Sequence, residues 1–299
     1  MTLKYKDVNG VEKTSSQAVT TGNQAYSTST FTGLTMYVPM NDSADIDVYV
    51  DVPTISSGSH SGAAVSVLID ADEGFKAIDS AGTTDSSAAS SDVNSAANSG
   101  YGTKYVKKSV PTLARLTTGY TTNTVASGIG LYRFSITADA AGSIEWREIS
   151  FTVTTSGVMT SAWIMYDVTG TAIVINDTST TTNASGGGTT LSICPDTNCQ
   201  NGEVEQIGAA STKTYELRAT VSGWGDAGDS ITISFAEDTS AITDAAALGL
   251  HTAQNMVWSD RSATSHTTTT TDWTNGYLVK DTDNDTRACQ FGTATTCTP

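Results

Sequence analysis

Asp281-Thr282-Asp283-Asn284-Asp285 sets a carboxylate at every second position of a short polar segment, with the Asn284 amide oxygen among them. Alternate acids in a tight loop bring hard oxygens to one side, which is what Ca²⁺ prefers, so calcium is expected at Asp281, Asp283 and Asp285. The pattern is not an EF-hand. Thr286 stands where the loop's glycine is needed, and Gly292 where a bidentate glutamate belongs. A solvated acidic turn is the competing reading. Asp70-Ala71-Asp72-Glu73-Gly74 is a weaker cluster that reads first as a turn.

The cysteines fall in the last third of the chain, where Cys194 and Cys199 bracket one short loop and Cys289 and Cys297 another. A zinc site needs tighter C-x-x-C pairs or neighbouring histidines, and His60, His251 and His266 stand far off in sequence. Disulfides are therefore expected. Of three connectivities, Cys194–Cys199 with Cys289–Cys297 is favoured because both loops are rich in turn residues. Disulfides in turn imply an oxidising, extracellular location.

Nucleophilic catalysis requires a base held beside the nucleophile and a third group that orients it. No histidine stands in such a context: His60 lies in the turn Gly58-Ser59-His60-Ser61-Gly62, and His266 in a Thr-rich loop. Both read as ordinary surface residues, no catalytic residue is assigned, and the chain is expected not to be an enzyme. Trp146, Trp163 and Trp258 lie in apolar runs and read as core, whereas Trp224 and Trp273 sit at turns, where an exposed ring would suit a sugar or a partner but a core edge is the favoured reading. Four N-x-S/T triplets, at Asn41, Asn176, Asn183 and Asn284, are weak signals in a chain so rich in Ser and Thr.

The elements that must hold these residues are strands. Only 15% of residues are charged, and 31 acids against 15 bases give a net charge of −16, a field that repels nucleic acid and anionic lipid. Abundant Thr favours the pleat and wets an exposed face without adding charge. Period-two alternation marks Leu34–Val38, Ala44–Val52, Ala64–Ile69, Tyr132–Thr137, Ile149–Val153, Ala162–Tyr166, Thr171–Ile175, Lys213–Val221, Asp229–Phe235 and Gly276–Lys280. One short helix is expected over Ile242–Leu250. No apolar run reaches the roughly 20 residues of a membrane helix, so no membrane insertion is expected. Ala77–Gly102 and Thr178–Gly188 are low-complexity stretches that read as loops. The fold expected is all-β, with two Ig-like antiparallel β-sandwich domains, residues 1–109 and 110–299, divided near Pro111.

Lys108-Ser109-Val110-Pro111-Thr112-Leu113, the run Leu131–Gly142, and the paired tryptophan motifs Val257-Trp258-Ser259-Asp260 and Asp272-Trp273-Thr274-Asn275-Gly276-Tyr277 carry a resemblance. Over roughly residues 20 to 280 the chain resembles secreted, Ser/Thr-rich surface proteins with Ig-like modules from small-genome candidate-phylum bacteria. The resemblance implies a cell-surface location and no catalysis; it carries over no site residues. After Val279 the acidic run and the last cysteine pair depart from the pattern, and the chain is expected to be a complete subunit. The expected function is a self-assembling homopolymer, a surface filament or surface layer, whose partner is the chain itself. Thr2–Val11, with Leu3, Tyr5 and Val11 as pocket fillers, is a candidate donor strand, and Thr14–Asn23 a tether. The ordinary reading is a first strand of its own sheet. The rivals are a monomeric adhesin that binds a glycan or host-surface protein through loops such as Ala77–Gly102, and a secreted hydrolase.

Overall fold

Alternation of apolar and polar residues makes extended chain the state that buries one face and wets the other, and strands dominate the structure accordingly. The computed structural model describes residues 1–21, 27–67, 76–85, 103–120, 128–170, 173–175, 188–195, 203–235, 238–242, 248, 255–280 and 285–291. The chain divides into two compact units: Met1–Ser59 with Ala64–Tyr105, and His60–Ala63 with Val106–Pro299. The division falls at Tyr105/Val106, ahead of residue 110, and hands His60–Ala63 to the second unit.

The first unit contains β1 (Thr2–Lys6), β2 (Glu12–Ser16), β3 (Thr20–Thr21), β4 (Ser27–Thr28), β5 (Asp47–Tyr49), β6 (Ala64–Val65), β7 (Ala77–Ile78), β8 (Thr84–Asp85) and β9 (Lys104–Tyr105). β1 lies between β2 and β5 in a three-stranded antiparallel sheet, and β3–β4, β6–β9 and β7–β8 form separate antiparallel pairs. The expected tether is therefore partly strand, because Thr14–Ser16 close β2 and Thr20–Thr21 form β3. Leu34–Val38 is no strand, and its one ladder contact is a bridge from Met36 to Asp7. Of Ala44–Val52 only Asp47–Tyr49 pairs, and Val48 and Val52 remain 40% exposed. Alternation specifies two faces, but only a second layer can bury one of them. Leu3 and Tyr5 are buried among the described residues.

The second unit contains β10 (Thr112–Arg115), β11 (Ile129–Thr137), β12 (Ile144–Ser156), β13 (Met159–Asp167), β14 (Ile173–Ile175), β15 (Gly188–Ile193), β16 (Glu205–Ile207), β17 (Thr212–Ser222), β18 (Ser230–Phe235), β19 (Met256–Ser259), β20 (Trp273–Asn275) and β21 (Asp285–Gln290). One sheet runs β10-β11-β17-β13-β14. The other is organised by β12, whose 13 residues pair with β16 and β15 along one edge and with β19 and β18 along the other. Pro111 stands one residue before β10, where no ladder donor is asked of it. Gly276–Leu278 is a 3₁₀ turn and not the strand that its alternation suggests. Most of Ile242–Leu250 and of Thr178–Gly188 lies outside the described residues, as does the long middle of Ala77–Gly102.

The two sheets pack face to face around one apolar core, a β-sandwich-like arrangement. Phe134 and Tyr215 from the first sheet meet Phe151 and Trp146 from the second: the Phe134 and Phe151 rings lie 5.7 Å apart, and Trp146 stands edge-on to Tyr215 at 5.6 Å. Each such side chain contributes roughly 1.5–3 kcal/mol on burial. Ile144 through Phe151 are buried on both faces of β12, so something must also cover the outside of this sheet.

Candidate functional site: a histidine held between two carboxylates

Opposite registers separate the two tryptophans of the paired motif. Trp258 of β19 stands across from Thr274 of β20, and Ser259 across from Trp273, so the two rings project from opposite faces of the sheet. Trp258 enters the sandwich core, whereas Trp273 packs with Leu248 and Val257 in a second cluster. The segment 260–272 folds over Trp273 and leaves it fully buried, in keeping with the favoured reading of a core-edge ring and against an exposed one open to ligand. Trp224 is partly buried against the core.

His266 fastens this cover. Its Nδ1 lies 2.8 Å from Asp272 Oδ2 and its Nε2 lies 2.8 Å from Glu145 Oε2, on β12. The ring stacks on Trp273 at 5.4 Å and 27°. With 14% side-chain exposure, His266 is not the surface residue that its Thr-rich context suggests. Around it, Thr270 donates to Asp272 Oδ1, the Ala263 N–H to Asp272 Oδ2, and Arg261 Nε stands 2.7 Å from Glu145 Oε1. Arg147 lays its guanidinium 4.8 Å from the centre of the Trp273 ring and donates to the Thr268 carbonyl, while Trp273 Nε1 donates to the Thr267 carbonyl.

A third buried carboxylate continues the network. Asp260 Oδ2 accepts from the Lys108 N–H at 2.7 Å and from the Ser61 hydroxyl at 3.0 Å. Lys107 Nζ donates to Ser61 Oγ and to the Asp272 carbonyl, and stands 5.6 Å over Trp258. These bonds explain why His60–Ala63 belong to the second unit.

The charges answer to their surroundings. Burial pushes the Asp272 carboxyl up, but the Thr270 hydroxyl, the Ala263 N–H and His266 together hold it below the ordinary range. Burial pushes the Lys107 amine down, partly offset by Asp260 and Asp272. At Asp238, burial outweighs backbone donors from Asn255, Gly276 and Met256 and leaves the carboxyl raised.

This geometry is poor at catalysis and good at fastening. A general base needs one ring nitrogen directed at a nucleophile. Both nitrogens of His266 are committed to carboxylates, and the Thr270 hydroxyl is 3.3 Å from the nitrogen that Asp272 already occupies. No protein-family model matches the chain, and no curated protein is similar to it.

The residues singled out by sequence lie elsewhere. Asp281 and Asp283 are outside the described residues, and of Asp285 only the backbone is described, opening β21 opposite Phe235. Among the described residues no group of three or more His, Cys, Asp or Glu side chains is placed to hold a metal. Cys194 and Cys289 are buried and neither is a free thiol, while Cys199 and Cys297 lie outside the described residues. Leu3 and Tyr5 are buried in their own sheet, and Val11 is 50% exposed. His60 is exposed. The sequence reading missed Glu145, His266 and Asp272 as a set; the one local signal was the proximity of His266 to the Asp272-Trp273 motif.

Proposed function

We propose that the protein is an extracellular structural subunit that assembles with copies of itself into a surface filament or layer. The observation that carries this reading is the distribution of exposed apolar side chains. Val8, Tyr37, Val38, Met40, Tyr49 and Ile78 all stand out from the first unit, Met40 at 88% exposure and Ile78 at 72%, whereas Met159 is their counterpart in the second. Exposed apolar groups concentrated in one unit suit a surface that is covered by a partner. The fastened cover over Trp273 suits a structural role better than a catalytic one, and the acidic, charge-poor composition suits a partner other than nucleic acid or membrane. The same reading includes Cys194–Cys199 and Cys289–Cys297 disulfides, calcium at Asp281, Asp283 and Asp285, and the resemblance to Ig-like surface modules.

Electron microscopy of purified protein, with and without calcium, tests it. Filaments or two-dimensional lattices are expected. Dispersed monomers in every condition overturn the reading, and dispersed monomers that bind a glycan array replace it with an adhesin. Turnover of a polysaccharide would make the chain a hydrolase.

A further inference from the structure

We propose that the turn between β1 and β2 is a self-modification site, where Gly10 N displaces the side-chain amide of Asn9 and turns that residue into aspartate or isoaspartate. The site stands whether or not the chain assembles. Three Asn-Gly pairs occur in the sequence, Asn9-Gly10, Asn201-Gly202 and Asn275-Gly276, and the second lies outside the described residues. Glycine is the follower that least hinders the attack, since it has no Cβ to crowd the approach of its own nitrogen to the asparagine side chain. The tertiary structure separates the two described pairs, which sequence alone leaves equal.

Asn275 is held on every side. It is 3% exposed on β20, its Oδ1 accepts from the Ile242 N–H at 3.1 Å, and its Nδ2 donates to the Ser240 carbonyl at 2.8 Å. The nitrogen that would attack, Gly276 N, donates to the buried Asp238 Oδ2 at 2.7 Å. Asn9 has none of this. Val8, Asn9, Gly10 and Val11 are all exposed, and among the described residues no hydrogen bond holds the Asn9 side-chain amide. Gly10 N is held only by the Asp7 carbonyl at 2.9 Å, a bond of an exposed turn that opens locally without unfolding a sheet. A Cβ built on Gly10 would meet open space, so nothing screens the approach.

The step balances with water as the only co-reactant. Gly10 N loses its proton to water and bonds to Asn9 Cγ; the Cγ–Nδ2 bond breaks and ammonia leaves, taking up a proton. Water then opens the cyclic imide at either carbonyl, so that amide and water have become carboxylate and ammonium. Both products loosen the hairpin. Aspartate sets a second carboxylate beside Asp7, whose Oδ1 accepts from the Asn9 and Val11 N–H groups at 2.9 and 3.0 Å. Isoaspartate carries the main chain through the former side chain, and the added atom disturbs a register that loop length sets and that the Asp7 N–H closes onto the Val11 carbonyl at 3.0 Å.

Incubation of the full-length protein at mildly alkaline pH, folded and in guanidinium, followed by peptide mapping with isoaspartate detection, tests the site. In the folded protein Asn9 is expected to convert at least about tenfold faster than Asn275, and in guanidinium the two rates converge because only folding protects Asn275. The converted fraction gains a negative charge, separates by anion exchange, and is expected to lose hydrogen-exchange protection at the Asp7 and Val11 N–H groups. Asn9→Gln, whose longer side chain closes the ring poorly, is expected to keep that protection through the incubation. An intact Asn9, or an Asn275 that converts as fast in the folded protein, overturns the site. Protection unchanged in the converted fraction, or lost in Asn9→Gln as well, overturns the loosening.

Discussion

Glu145 and His266 stand 121 residues apart in the chain and 2.8 Å apart in space, and Asp272 meets the opposite nitrogen of the same ring at the same distance. The one ring bridges two buried carboxylates that the chain brings from different elements. The ring is thus the rivet that keeps segment 260–272 on the sheet.

Replacing it removes one partner from each carboxylate, leaving Glu145 to Arg261 and Asp272 to Thr270 and the Ala263 N–H. His266→Ala is expected to lower the stability of the second unit by about 2 kcal/mol, from the loss of two hydrogen bonds to buried carboxylates and of the ring stacked on Trp273. Hydrogen exchange is the second measurement: the Ala263 N–H, which Asp272 accepts at 3.2 Å, is expected to lose protection. Unchanged protection there removes the fastening role.

Acid acts through Asp272. Its folded carboxyl lies below the ordinary range, so it contributes stability above the unfolded value of about 3.9, and that stability is lost as pH falls through the folded value. Asp238 is raised and acts oppositely, since its folded form takes up the proton first and gains stability as pH falls. Denaturation measured from pH 7 to pH 3 is expected to show a loss that Asp272→Asn flattens. An identical slope in the variant counts against the assignment.

Gly157 turns the chain between β12 and β13 with φ +71°, and a Cβ built there would lie 1.8 Å from Asp229 Oδ1. Asp229 cannot easily retreat, because its other oxygen accepts from the Gly225 and Asp226 N–H groups. Gly157→Ala is expected to cost at least about 2 kcal/mol from strain and the displaced carboxylate together. A melting temperature equal to the parent's would mean that the turn adopts another conformation.

Peptide mapping without reductant is expected to yield Cys194 joined to Cys199 and Cys289 joined to Cys297. Cys194–Cys289 or crossed pairs would refute this connectivity. Reduction is expected to lower stability by roughly 2 kcal/mol per bridge, at the small end because the loops are short.

Calcium is expected to raise the melting temperature through Asp281, Asp283 and Asp285, by binding the folded form and relieving repulsion among the acids. Equal melting curves in millimolar calcium and in chelator exclude the site, and Asp283→Asn is expected to abolish any shift that is seen.

Tyr132, Phe134 and Ile136, like Tyr215, Leu217, Ala219 and Val221, show how much of the fold is local. Their spacing of two marks strand and inward face together, and all of them enter the core of the second unit. The same spacing at Ile46, Val48, Val50 and Val52 brought only a three-residue strand, because alternation states that a face is apolar but not that another layer exists to cover it. The site was less legible than the core. Asp272 and Trp273 were visible as a motif, but the motif's surroundings depend on the register that sets Ser259 against Trp273 and on a β12 carboxylate distant in sequence. Composition and alternation therefore determined an all-β, acidic chain with its strands in the second half largely placed. That Trp273 is covered on the opposite face of its sheet, and that His266 is held between two carboxylates, was decided by the tertiary structure, because side-chain chemistry depends on neighbours and neighbours distant in sequence are chosen only when the sheets close.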